Sequence, residues 1–373
     1  MIKNQNIMIA AGGSGGHIFP ALAVAQKLKE KKVKVVFVGV GNELEHKILN
    51  ENGFELAVVP FVPLVGKGIR GFLKGIYLFP FSLWKAIRLI KQNNIQAIIG
   101  FGGFPSFIPM VAGFLYRIPR ILHEQNVQVG VANKVLSLIV TKIFAVHYAT
   151  GFWSKKKVNY ISNPVRTEFE KIPDLKFTTE QNKFNILVIG GSQGAISVNS
   201  AILELVNDFQ FNNVHLIHQT GKVDYGRVVG HYKKELYDDC EVFAFIDKIL
   251  PFYEKAHLII CRAGAMTVAE VSASGRPAIF IPLNISKGHQ HLNAQYLKSA
   301  GGCIILKQNQ HLSSKLRKIV LDLIKNKSKL EVMGRNARIV SKTGDESAAE
   351  VLANTVLGED GFCPVSSAFR SGF

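Results

Sequence analysis

Asn6-Ile-Met-Ile-Ala-Ala-Gly-Gly-Ser-Gly-Gly-His17 and Phe184-Asn-Ile-Leu-Val-Ile-Gly-Gly-Ser-Gln-Gly-Ala195 decide the fold. Each runs from a short apolar segment into a glycine-rich turn and then into a helical pattern, the opening of a strand–turn–helix unit. Outward from them the same rhythm repeats. Strands are expected at Asn6–Ala11, Val33–Val38, Ile95–Ile99, Arg120–Leu122 and Lys142–Val146, with helical pattern over Ile18–Lys29 and Phe81–Lys91 between them. A second series follows at Phe184–Ile189, Val214–Ile217, Val242–Phe245, Leu258–Cys261 and Ala278–Ile281. Alternation of this kind marks an α/β fold: two Rossmann-like domains facing a cleft, with ligands at the carboxyl ends of the strands.

The rhythm breaks at Asn163-Pro164, so one domain is expected over residues 1–163 and a second over 164–340. The polar, aperiodic stretch Pro173–Lys183 reads as the interdomain linker. Residues 341–358 are expected as a C-terminal helix packing back on the first domain, followed by a tail over 359–373.

A chain of 373 residues, 47% hydrophobic, is long enough for two cores. No apolar run reaches the roughly 18 residues of a membrane-spanning helix, and Ile7–Ala11 is too short for a signal peptide. Cys240, Cys261, Cys303 and Cys363 have no paired spacing and read as free thiols in a reducing cytosol. The net charge of +18 calls for anionic partners. Without a zinc-ligand or aromatic RNA-binding signature, lipid and phosphate are favoured over nucleic acid.

The first glycine loop, Gly12 to Gly16, lacks the Lys-Ser/Thr ending of a P-loop, and Ile18 stands where a dinucleotide fold has its third glycine. A tight turn alone explains the glycines. His17, at the first turn of the following helix, is either a structural histidine or a general base beside an anion site. Gly190-Gly-Ser-Gln-Gly194 fits the G-x-S-x-G elbow of hydrolases. That raises a rival: a serine hydrolase using Ser192, with Asp247 and His257 or His289. The other reading has Ser192 donating to a phosphate.

In Cys261-Arg-Ala-Gly-Ala-Met-Thr-Val-Ala-Glu270 the free N–H groups of Ala265, Met266 and Thr267 form a further anion site. Glu270 is placed either to accept from a ribose diol or to offset the helix dipole. His289-Gln-His-Leu-Asn293 offers amides and imidazoles to sugar hydroxyls, or is simply a polar helix start. His123-Glu-Gln-Asn126 reads as a cleft wall rather than core. No D-x-D pair occurs, so phosphate charge falls to helix dipoles and basic side chains, with no metal or other cofactor.

Together these motifs resemble the MurG family of peptidoglycan N-acetylglucosaminyltransferases, which convert lipid I to lipid II. The resemblance runs from about Asn6 to Gly358. It rests on Gly-Gly-Ser-Gly-Gly-His-Ile-Phe-Pro-Ala at 12–21, Gly-Phe-Gly-Gly-Phe at 100–104, His-Glu-Gln-Asn at 123–126, Asn-Pro-Val-Arg-Thr at 163–167, the two segments at 190–195 and 262–270, and His-Gln-His-Leu-Asn-Ala at 289–294.

It implies a GT-B glycosyltransferase with an inverting mechanism, His17 as base, lipid I as acceptor, and a place on the cytoplasmic face of the inner membrane. It sets UDP-GlcNAc against Ser14, Gly15, Gly16, Asn126, Arg166, Ser192, Ile246, Ala265, Met266, Thr267, Val268, Ala269, Glu270 and Gln290. The backbone at Ile246 would read uracil and Glu270 would hold the ribose. Ser14 replaces the usual threonine, Phe104 a common tyrosine, and Lys287-Gly288 an often acidic position.

Residues 64–91 interleave Lys67, Arg70, Lys74, Lys85, Arg88 and Lys91 with Ile69, Phe72, Tyr77, Phe81 and Trp84. Too charged to span a bilayer, the stretch suits the headgroup zone of an anionic membrane. The helical spacing of Phe81–Lys91 also fits a core helix. Pro80 argues against one continuous helix.

Overall fold

The computed structural model describes residues 5–60, 68–147, 149–177, 183–191, 194–211, 213–235, 237–283, 289–342 and 346–359. The chain divides into two compact units, 1–166 with 343–373, and 167–342.

The first unit runs β1 (Asn6–Ala10), α1 (Gly15–Glu30), β2 (Lys34–Gly39), α2 (Glu43–Glu51), β3 (Leu56–Val58), α3 (Gly68–Gln92), β4 (Ile95–Gly100), α4 (Gly103–Leu115), β5 (Arg120–Glu124), α5 (Val131–Ile139), β6 (Lys142–Ala145) and β7 (Val158–Tyr160). The second runs α6 (Thr167–Glu170), β8 (Phe184–Ile189), α7 (Ile196–Leu203), α8 (Val206–Phe211), β9 (Val214–Gln219), α9 (Tyr225–Lys234), β10 (Cys240–Phe243), α10 (Leu250–Lys255), β11 (Leu258–Cys261), α11 (Ala265–Ser274), β12 (Ala278–Phe280), α12 (His289–Ser299), β13 (Cys303–Ile305), α13 (Leu312–Lys325) and α14 (Lys327–Ser341). The chain then returns to the first unit as α15 (Ala348–Leu357).

Among the described residues all strand pairs are parallel, in the orders β3-β2-β1-β4-β5-β6-β7 and β10-β9-β8-β11-β12-β13. Both are doubly wound sheets whose order reverses beside the first strand, between β1 and β4 and between β8 and β11. That reversal opens the crevice where such sheets bind ligands. Each glycine loop leaves its sheet there.

The central strands are buried on both faces, which is why they read as unbroken apolar runs. Helix α1 buries Ala21, Leu22, Ala23, Val24 and Ala25 in succession. It lies under a second helix, α15, whose Ala349, Leu352, Ala353 and Val356 join the same core. Ser347 caps α15 by accepting from the Glu350 N–H, and Gly358 ends it in a left-handed turn at φ 74°.

Two expectations need correction. Helix α3 passes through Pro80 without a break. Proline costs a helix interior about 3 kcal/mol. Pro80 is exposed, and burial of Ala86 and Ile90 holds the helix on its sheet. The linker reading at Pro173–Lys183 also fails over its described part. The units divide at Arg166/Thr167. Leu175 lies in the second core, and Phe177 stacks on Phe184 and His257.

Three buried histidines give the fold an acid limit. Burial pushes His123 and His218 down to about 3 and His257 to about 4, from an ordinary 6.5. Unfolded, each ring takes a proton near 6.5; folded, it does not. Their stability is therefore complete above pH 6.5 and lost as pH falls from there toward 4 and then 3. Each ring contributes a slope of up to about 1.4 kcal/mol per pH unit. Melting temperature should drop steadily from pH 7 to pH 5. A flat or rising profile contradicts the neutral, buried rings.

Candidate active site

In the first unit the loop after β1 starts α1. Ser14 is its N-cap, exposed and extended at φ −152°, with its hydroxyl not spent on capping. Gly15 and Gly16 follow with first-turn N–H groups aimed out of the helix end. Beneath the loop lies Glu45, 1% exposed. It accepts from Gly13 N (2.6 Å) and Gly41 N (2.8 Å) and so clamps two turns at once. Nothing in the sequence singles it out.

His17 Nδ1 lies 2.8 Å from the carbonyl of Phe101, the residue after β4. A carbonyl only accepts, so Nδ1 carries the hydrogen, and in the neutral ring the lone pair is then on Nε2. A Cβ on Gly103 would come within 3.2 Å of Nε2, and Gly103 has φ +69°. Only glycine fits backbone this close to the ring in this conformation. The Phe101 carbonyl also accepts from Gln125 Nε2 at 2.9 Å.

The His123–Asn126 run is not a solvent-facing wall. β5 extends through Glu124, and His123, Glu124 and Gln125 are 0–2% exposed. The carboxylate is met internally, while His123 Nε2 and Gln125 Oε1 are buried without a hydrogen-bond partner among the described residues. Glu124 accepts from Asn126 N (2.9 Å), Asn126 Nδ2 (3.2 Å), Gly130 N (3.2 Å) and Asn133 Nδ2 (2.8 Å). Asn126 itself is half-buried, and Arg166 lies over the ring of Phe19 on α1. The first unit thus holds Ser14, Gly15, Gly16, His17, Asn126 and Arg166.

In the second unit Ser192 lies outside the described residues, as do Lys287 and Gly288. Gly194 has φ +81°, and a Cβ there would meet the Thr220 carbonyl at 2.6 Å, so this turn too requires glycine. Gly264 caps α11 without a side chain, leaving the N–H groups of Ala265, Met266 and Thr267 at the helix end. Met266, Val268 and Ala269 turn their side chains into the core, and Val268 N already bonds the Gly264 carbonyl. At 268 and 269 the chain therefore offers a ligand no free backbone donor; these residues carry Glu270, which is half-buried one turn on. Gln290 Oε1 accepts from Leu283 N (2.9 Å). Ile246 is buried, and its N–H donates to Gln219 Oε1.

The hydrolase reading loses its nearer histidine. His257 precedes β11 and its Nδ1 accepts from Asn185 N at the start of β8, whereas the elbow follows the end of β8. A six-residue strand separates them by roughly 17 Å.

Residues 7–145 match the N-terminal domain of glycosyltransferase family 28, and 185–352 match its C-terminal domain. The UDP-N-acetylglucosamine–N-acetylmuramyl-(pentapeptide) pyrophosphoryl-undecaprenol N-acetylglucosamine transferase of Psychromonas ingrahamii is 33% identical over 95% of this chain and 100% of its own. The transferase of the same name from Francisella tularensis is 36% identical over 95% and 98%. The chain belongs to the MurG family. A crystal structure of Acinetobacter baumannii MurG superposes with a TM-score of 0.74 at 26% identity, covering 95% of this chain and 99% of that one. Membership makes the protein a glycosyltransferase of GT-B architecture and removes the serine hydrolase. The MurG fold also extends to a UDP-GlcNAc 2-epimerase from Neisseria meningitidis, at TM-score 0.65 and 14% identity.

Proposed function

We propose that this enzyme transfers N-acetylglucosamine, with inversion, from UDP-GlcNAc to the C4 hydroxyl of MurNAc in undecaprenyl-pyrophosphoryl-MurNAc-pentapeptide (lipid I), giving lipid II at the cytoplasmic face of the inner membrane. The observation that carries the mechanism is the fixed tautomer of His17, with Nδ1–H on the Phe101 carbonyl and Nε2 left basic. Nε2 takes the proton of the acceptor hydroxyl. Its oxygen attacks the anomeric carbon opposite the nucleotide, and UDP leaves with the electron pair of the broken C1–O bond.

The donor falls mainly to the second unit. The 190–194 loop and the start of α11 stabilise the diphosphate as it gains charge. Glu270 holds the ribose, the backbone carbonyl at Ile246, whose N–H is taken by Gln219, meets the base, and Gln290 meets the sugar. Incubated with lipid I and UDP-GlcNAc, the purified enzyme should yield lipid II and UDP in equal amounts, and should continue in excess EDTA. Absence of transfer, or transfer only with added magnesium or manganese, defeats this reading.

We place the membrane contact on α3 and the end of α4, which pack together. The side chains of residues 67–74 lie outside the described residues; those further on support the contact. Tyr77 is 83% and Trp84 52% exposed, Phe81 stacks on Trp84, and Arg88 lies over the Trp84 ring. Lys91 lies over Tyr116, beside exposed Phe114 and Leu115. Among the described residues no helix is long and apolar enough to cross a membrane. A cation near an anionic leaflet contributes about 1 kcal/mol. Flotation with phosphatidylglycerol vesicles should weaken as salt rises, and Arg88→Glu with Lys91→Glu should lower vesicle affinity by about tenfold or more. UDP binding should not change. Equal flotation of parent and variant would remove the membrane role from this face.

A further inference from the structure

Gln219, the last residue of β9, is 3% exposed and bonded at both ends of its side-chain amide. Its Nε2 donates to the carbonyl of Gly191 in the second glycine loop (3.2 Å). Its Oε1 accepts from the N–H of Ile246 (3.1 Å). A carbonyl cannot donate and an N–H cannot accept, so these two partners fix which way the amide points. One side chain therefore spans two loops that leave different strands, β8 and β10.

The frame behind Gln219 is itself locked. Its carbonyl accepts from Gly190 N, and Thr220 N donates to the Phe243 carbonyl, both at 2.9 Å. On either side, buried groups hold the strand end. Asn199 Nδ2 donates to the Thr220 carbonyl (3.0 Å), and His218 lies between Tyr232 Oη (2.6 Å) and Asn199 Oδ1 (3.0 Å). Burial keeps the His218 ring neutral, so Nε2–H donates to Asn199 while Nδ1 accepts from tyrosine. A rigid strand end thus aims one amide at both loops.

We infer that Gln219 is a positioning residue that ties the diphosphate loop to the base-reading segment, so that the two ends of the donor nucleotide are bound by one coupled element. This rests on the donor-site reading above. If the Gly191 end is cut, the glycine loop loses its register. If the Ile246 end is cut, the backbone that meets the base loses its orientation. Loss of one hydrogen bond of ordinary net worth corresponds to a factor of about five to ten in affinity.

The two ends can be separated with neutral and charged probes. Gln219→Glu keeps an oxygen for the Ile246 N–H but has no hydrogen for Gly191. Gln219→Met keeps length and flexibility and makes neither bond. Uridine, uncharged, reports the base end alone by ligand-observed NMR, which reads millimolar affinities. UDP reports both ends by calorimetry. In the Met variant uridine should weaken about fivefold and UDP distinctly more. In the Glu variant uridine should stay within about twofold of the parent while UDP weakens. Should the Met variant not fold, the Glu variant decides alone. Uridine weakened in the Glu variant, or UDP weakened no more than uridine in either variant, overturns the tie. If the parent itself fails to bind UDP, the donor-site reading falls first.

Discussion

Replacing His17 by Ala should lower kcat by about 10²–10⁴-fold, the usual worth of a positioned general base. Donor affinity should hardly move, because Ser14, Gly15 and Gly16 keep their place at the start of α1 without the ring. The expectation follows from the hydrogen bond at Nδ1. The Phe101 carbonyl selects the neutral tautomer in which Nε2 is the acceptor nitrogen. His17→Asn makes the test sharper. An asparagine amide can donate to the same carbonyl and preserve the local packing, yet it has no basic nitrogen. If His17 serves only to hold Phe101, the Asn variant should recover most of the activity lost in the Ala variant. If it is the base, both should be equally slow, with unchanged KM for UDP-GlcNAc. Near-normal turnover of either variant removes the assignment.

Much of this was legible in the sequence because the central strands of a doubly wound sheet are covered on both faces. Asn6–Ala10 and Phe184–Ile189 have to be apolar throughout, and the glycine turns after them mark where the strand order reverses. The short edge strands β3, β7 and β13, three residues each, were not legible. Their half-exposed residues carry no period that a loop could not share.

The misreading of His123-Glu-Gln-Asn126 has a related cause. Polarity in sequence suggests solvent, but a carboxylate can be buried where N–H donors surround it. Whether the donors are there depends on residues as distant as Asn133, which no local pattern announces. Gln219 and Glu45 were missed for the same reason. Each acts by joining two turns that the sequence keeps far apart.

The buried carboxylate of Glu124 should be worth more than any single apolar contact in the first unit. Glu124→Leu removes the acceptor of the Asn133 side-chain amide, which is 2% exposed, and of the half-buried Asn126 N–H. The Gly130 N–H lies at the surface, where water can replace the carboxylate. Each donor stranded away from water costs about 1–3 kcal/mol, so a loss of about 2–4 kcal/mol is expected in urea unfolding. Glu124→Gln, which keeps the shape and one acceptor oxygen, should lose roughly half as much. Activity should fall as well, because the same amide packs close to the turn beside His17. Asn133 Nδ2 lies 2.6 Å from where a Cβ on Gly102 would stand, and Gly102 precedes the Gly103 that packs under His17 Nε2. An unpaired Asn133 amide would turn to find a partner, and the nearest backbone is that turn. A Glu124→Leu enzyme that unfolds within about 1 kcal/mol of the parent would mean that water enters to replace the carboxylate. The His123–Asn126 run would then be far less sealed than its burial indicates.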